Sequence, residues 1–137
     1  MTAKSDCRAL LQKFRQSTDT FWLVRNGKIE LRSRAAGIKT LSRFAISNKP
    51  LAKYVVYDKI IGNPAAVLLI HLKAKKIRTP LISFPALKKL LKKKIEVVYL
   101  KKSEFIYERN KQEMCEIEKR LKMAGEKKFL QNILKKK

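Results

Sequence analysis

Asp58 and Lys59 interrupt an apolar run from Tyr54 to Ile61, and Gly62-Asn63-Pro64-Ala65 follows at once. An acid in such a run costs burial free energy unless it is partnered or exposed. The pair therefore marks either a local bond, with the carboxylate satisfied by helix amides or by Lys59, or a binding site at the end of a strand. Asn63-Pro64 is a capping residue followed by a proline suited to the first helical position. The free amides of that first turn, Ala65 among them, would point the positive end of the helix dipole at a crevice and favour a phosphate or carboxylate there. Gly62 would let such a ligand approach the backbone closely. Lys59 would add a charge, and Asp58 would accept from a ribose or an amine, or act as a nucleophile. Ser83, two residues before Pro85, is either the capping hydroxyl of the next helix or a second polar group in the same crevice.

Other candidate chemistry is sparse. Cys7 and Cys115 lie far apart, there is no C-x-x-C, and His71 is the single histidine. Neither a zinc cage nor a disulfide scaffold fits that pattern, and a reduced cytoplasm is the default compartment. His71 falls in an apolar helical stretch and reads as a core or rim histidine. Cys115 has no nearby histidine to activate it and reads as a buried, inert thiol. Phe21 and Trp22 read as core, not as a platform for bases.

The 137 residues carry 34 Lys or Arg against 11 Asp or Glu, a formal charge of +23. With 45% apolar residues the chain can still fold as one domain around one core. The excess is uneven: residues 73–102 hold eleven bases and one acid, Glu96, and 119–137 hold eight bases and one acid, Glu126. Residues 103–118 run the other way, with Glu104, Glu108, Glu113, Glu116 and Glu118 against Arg109 and Lys111. Lysines outnumber arginines 25 to nine, whereas reading phosphates or bases often draws on the forked guanidinium. Solvation of outer faces accounts for such lysines as well as nucleic-acid binding does. The longest apolar run, Pro64 to Ile70, is far shorter than the roughly 20 residues that span a bilayer, and the first residues do not resemble a signal peptide.

The elements that must position these groups follow from periodicity. Ser5 caps a first helix with Ala9, Leu10, Leu11 and Phe14 on one face. Thr20 to Arg25 and Lys28 to Arg34 flank Asn26-Gly27, the signal of a hairpin with a type I′ turn, with Ile29 and Leu31 on one side. Gly37 to Ile46 reads as a second helix with Ile38, Leu41, Phe44 and Ala45 on one face. Tyr54 to Ile61 is a strand, and Ala65 to Leu72 is a helix apolar on all sides and so packed on several. Lys76 to Ser83 is a strand. Pro85 to Lys94 is an amphipathic helix with Leu87, Leu90 and Leu91 inward and Lys88, Lys89, Lys92 and Lys93 outward. Ile95 to Leu100 is a strand, and helical patterns at Glu116 to Ala124 and Lys127 to Leu134 flank Gly125. A hairpin followed by strand–helix alternation implies parallel pairing with right-handed crossovers. The expected fold is a three-layer α/β/α sandwich on a five-stranded mixed sheet, with a domain core at about 5–124 and a Lys-rich helix and tail at 125–137.

This element order is that of the cytidine deaminase-like fold, and the local motifs resemble a small uncharacterised bacterial family, domain of unknown function 1893. The resemblance spans roughly residues 20–120. It rests on Arg25-Asn26-Gly27-Lys28-Ile29, Gly37-Ile38-Lys39-Thr40-Leu41, Asp58-Lys59-Ile60-Ile61-Gly62 before Asn63-Pro64-Ala65-Ala66, Ser83-Phe84-Pro85-Ala86-Leu87, and Arg109 with Cys115 six residues on. The chain departs from the family pattern at Phe84, Glu108 and Glu116. A zinc deaminase needs a His or Cys ligand beside a Glu at the start of the second helix and P-C-x-x-C at the start of the third. Here those places read Arg34-Ala35-Ala36-Gly37 and Asn63-Pro64-Ala65-Ala66-Val67, so zinc deamination is not expected and no cofactor is called for.

The expectation for function is a cytoplasmic domain with a deaminase-like site emptied of its zinc ligands. It would bind a small anionic or nucleotide-like ligand through Asp58, Lys59, Gly62, Asn63, Ala65, Ser83 and Arg109. The alternative is a sequence-tolerant RNA- or DNA-binding module that uses helix 85–94 and the C-terminal tail. An enzyme of unknown reaction built on Asp58 is a third reading.

Overall fold

The computed structural model describes residues 3–103 and 125–134. Strands β1 (Phe21–Arg25) and β2 (Lys28–Ser33) pair antiparallel across Asn26-Gly27, whose φ angles of 53° and 76° are those a type I′ turn requires. Ile29 and Leu31 do not share a face, contrary to the alternation in the sequence. The register shifts between Leu23 and Val24, so that Leu23 pairs with Leu31 and Val24 with Ile29. Glu30 is left as the extra residue of a β-bulge. Leu31 and Ile29 consequently join different cores on the two faces of the sheet.

β1 also pairs antiparallel with β3 (Val55–Asp58), and β4 (Ile60–Ile61) continues the line of β3 after a break at Lys59. Both lie parallel to β5 (Lys76–Ser83), which in turn lies parallel to β6 (Glu96–Ser103). Across the sheet the order is β2, β1, β3 with β4, β5, β6. The mixed sheet has five positions occupied by six strands, because the third is interrupted.

Helix α1 (Ala3–Gln16) covers one face. Leu11 and Phe14 are fully buried there with Trp22, Val24 and Tyr57, and the Phe14 ring stands edge-on to Trp22 at 4.9 Å and to Tyr57 at 5.7 Å. Ser5 lies inside this helix, which is helical from Ala3 and not from the Asp6 that a Ser5 cap implies, and Ala9 is exposed. Phe21 and Trp22 are core residues, as their neighbours in sequence suggest.

The other face carries α2 (Lys39–Ser47), α3 (Asn63–His71), α4 (Phe84–Lys92) and α5 (Glu126–Leu134). These bury Leu41 and Ala45, Pro64 through Leu69, Ala86, Leu87 and Leu90, and Phe129 and Ile133 in one cluster with Phe21, Leu23, Val56, Ile77 and Ile82. α3 sits among the sheet, α2, α4 and α5, which is what an all-apolar helix needs. Leu91 is 54% exposed, although an inward position was expected. Successive residues on a helix advance by about 100°, and once Ala86, Leu87 and Leu90 set the buried face, Leu91 turns out of it on the side of Phe84. The segment expected as a helix at Glu116 to Ala124, together with Arg109, Cys115 and the last three lysines, lies outside the described residues.

Candidate functional site

Strand alternation decides where the two charges of the interrupted strand go. Neighbouring residues point to opposite faces, so Asp58 and Lys59 cannot share a crevice while the strand is extended. Asp58 is buried, and its carboxylate accepts from the main-chain N–H groups of Lys59 and Ile60. Burial raises the Asp58 carboxyl well above the usual carboxylate range, and the two amide bonds only partly oppose it. Lys59 turns to the α1 face, where its Nζ donates to the Ser17 carbonyl just past the end of that helix and stands 5.1 Å from the centre of the Phe14 ring. Burial lowers the Lys59 ammonium from its ordinary value, while the charge of Asp19 acts in the other direction.

Asp19 is a buried carboxylate that the sequence did not single out. It accepts from Trp22 Nε1 at 2.7 Å and lies 3.3 Å from Arg34 Nε and 3.7 Å from Arg32 Nη1. The Trp22 hydrogen bond, followed by the two guanidinium groups, lowers its carboxyl below the usual value in spite of desolvation.

At the start of α3 the cap is Gly62 and not Asn63. Gly62 is extended (φ −98°, ψ −175°), its carbonyl accepts from the Ala66 N–H at 3.0 Å, and no side chain caps the helix. Asn63 is the first helical residue, half-buried, and Ala65 is buried behind it. Ser83 is fully buried and caps α4, its Oγ accepting from the Ala86 N–H at 3.2 Å.

The concave surface next to these helix starts is a groove of about 580 Å³ along the outer side of α3. α3 contributes Asn63, Val67, Ile70 and His71, spaced at i, i+4, i+7 and i+8 and so in one stripe. α4 runs in the same direction, because both helices leave the carboxyl ends of adjacent parallel strands. It contributes Pro85, then Lys88 and Lys89, then Lys92 and Lys93, again one stripe. α5, packed on α2 and α3, adds Leu130. The α3 and α5 sides are therefore apolar at Val67, Ile70 and Leu130 and polar at Asn63 and His71, and the α4 wall is cationic. Among the described side chains, of which Glu126 is not one, no carboxylate stands within ion-pair distance of Lys88, Lys92 or Lys93.

Of the residues singled out in the sequence, the groove takes Asn63. His71 and the four lysines were read there as rim and solvated face. The pattern that could have found them was the i, i+1, i+4, i+5 spacing of the lysines, on a helix that must flank an all-apolar α3. Among the described residues no three His, Cys, Asp or Glu side chains come together as a group able to hold a metal ion. No described helix is long and apolar enough to cross a membrane.

The family described as a domain of unknown function, DUF1893, matches residues 10–137. A crystal structure of a DUF1893 family protein from Thermotoga maritima superposes with a TM-score of 0.81 at 25% sequence identity, covering 100% of this chain and 93% of that one. Among proteins of curated function, none matches this chain.

Proposed function

The chain belongs to the DUF1893 family, and we propose that it binds a small anionic or nucleotide-like ligand, without zinc chemistry, in the groove over α3. One observation carries this: four lysines of α4 line a concave surface whose other sides join apolar Val67, Ile70, Pro85 and Leu130 to two polar groups, Asn63 and His71. A groove of this size is within the range of small-molecule sites, which are mostly apolar with a few convergent polar groups. Lysine serves there as a point charge for phosphate. The openings of α2 and α3 carry no His, Cys or Glu, so the reading involves no zinc-activated water at those places.

Native mass spectrometry of the intact protein purified from its own cells tests this. The expected result is an anionic small molecule that is lost from the Lys88→Glu/Lys92→Glu variant. Co-purifying RNA fragments in place of a small molecule would overturn it and favour the basic surface as a nucleic-acid platform.

A further inference from the structure

We infer that the ligand is a nucleoside 5′-diphosphate or triphosphate, with its phosphate chain along the α4 wall and its nucleoside against α3 and α5; this rests on the groove's being the binding site. Because α3 and α4 leave the ends of adjacent parallel strands in the same direction, Asn63 and Pro85 lie near the strand ends of the groove, and His71, Lys92 and Lys93 lie towards its far end. From Lys88 to Lys92 the helix rises about 6 Å, so the four lysines are rooted in a row along the groove and not at one point. One phosphate monoester engages one part of such a row, whereas a di- or triphosphate spreads its charge along it.

The C-terminal position of Lys89 and Lys92 on α4 has a second explanation, since cations there stabilise the helix dipole. That does not account for Lys88 in the helix middle, nor for the convergence of all four on one concavity.

The apolar side sets the other half of the ligand. Val67, Ile70, Pro85 and Leu130 line the same groove. Inorganic di- or triphosphate would leave that surface wet, while a base and ribose would cover it. Single-stranded nucleic acid is the poorer fit, because its sites pair basic grooves with extended aromatic stacking platforms, and this lining holds no Phe, Tyr or Trp and offers one ring only, the imidazole of His71.

Isothermal titration calorimetry of the full-length protein at physiological salt, with ADP, CDP, AMP, adenosine, pyrophosphate and a 20-nucleotide RNA as probes, decides the matter. We expect ADP or CDP to bind at least about tenfold more tightly than AMP and than pyrophosphate, and adenosine not to bind. The Lys88→Gln/Lys92→Gln variant should weaken the diphosphate by about tenfold or more, because each lost ammonium removes a charge-assisted hydrogen bond. The remote variant Lys28→Gln/Lys39→Gln, with the same change in net charge, should leave it unchanged. Circular dichroism melting of each variant confirms that it is folded. If pyrophosphate and ADP bind equally, the nucleoside half is wrong while the anion-binding groove stands. If neither binds, or both variants weaken binding alike, the groove itself is wrong. RNA binding tighter than every nucleotide, and indifferent to Lys88 and Lys92, would overturn both.

Discussion

Pro80 stands across the sheet from Lys59. Tyr57 pairs with Arg78 and Ile60 with Leu81 in one unbroken register, so two steps are left unpaired, Asp58 opposite Thr79 and Lys59 opposite Pro80, and the second falls where a proline faces the strand. Proline brings no N–H to the ladder, which is why it is rare inside a sheet. The surroundings compensate locally. Thr79 Oγ1 lies 2.9 Å from the Leu81 carbonyl and 3.5 Å from that of Lys59, and the Lys59 N–H reaches the Thr20 carbonyl at 3.1 Å. The Asp58 carboxylate collects the amides of Lys59 and Ile60 at the same break. The two charges that interrupt the apolar run thus mark the place where the ladder lacks a donor.

Burial of Asp58 makes its contribution to stability depend on pH. Its folded pKa lies above the unfolded value, so the folded state binds more protons in the interval between them. Stability therefore falls as pH rises through that interval, and the cost remains above it. Asp58→Asn keeps an oxygen for both amides and removes the ionisation. We expect its Tm at pH 7 to exceed that of the parent by roughly 4 °C per kcal/mol recovered, with the gap closing towards pH 4. Melting curves at both pH values check this. A variant less stable than the parent by the same amount at both would show that ionisation of the carboxyl costs the fold nothing.

Asp19 behaves in the opposite sense. Its folded carboxyl lies below the usual value, so the stability it adds is full above the unfolded pKa and is lost as pH falls through the folded one. Asp19→Ala leaves the buried Trp22 Nε1 without its acceptor, a loss of about 1–3 kcal/mol. Urea unfolding at pH 7 should show that loss, and the difference from the parent should narrow below pH 4. An equal difference at pH 7 and pH 3 would place the effect in packing and not in charge.

Local signals carried most of the fold. The Asn26-Gly27 turn, the apolar helix after Asn63-Pro64 and the Lys76–Ser83 strand lie close to where the chain's own pattern puts them. What the pattern missed depends on pairing partners. The bulge at Glu30 sends Ile29 and Leu31 to different faces, and it follows from the register against β1, which period-two counting cannot contain. The candidate site was legible at one end only. Asn63 sits at a recognisable helix start, but the lysine wall becomes a wall only when α3 lies beside α4. The same four lysines on an isolated amphipathic helix are a solvated face.

The rotation of α4 on which that wall depends can be tested with two adjacent leucines. Leu90 is fully buried and Leu91 is 54% exposed. Leu90→Ala should cost about 2–5 kcal/mol, the range for a large-to-small change in a packed core. Leu91→Ala should stay within about 0.5 kcal/mol, as surface changes usually do. Urea denaturation of the two variants gives both values in one experiment. The lysine stripe lies on the side of the helix away from Ala86, Leu87 and Leu90, flanked on one edge by Phe84 and Leu91. If Leu91→Ala proved as costly as Leu90→Ala, the buried face would extend round to Leu91. The helix would then be turned relative to α3, and Lys88, Lys89, Lys92 and Lys93 could not all line one groove.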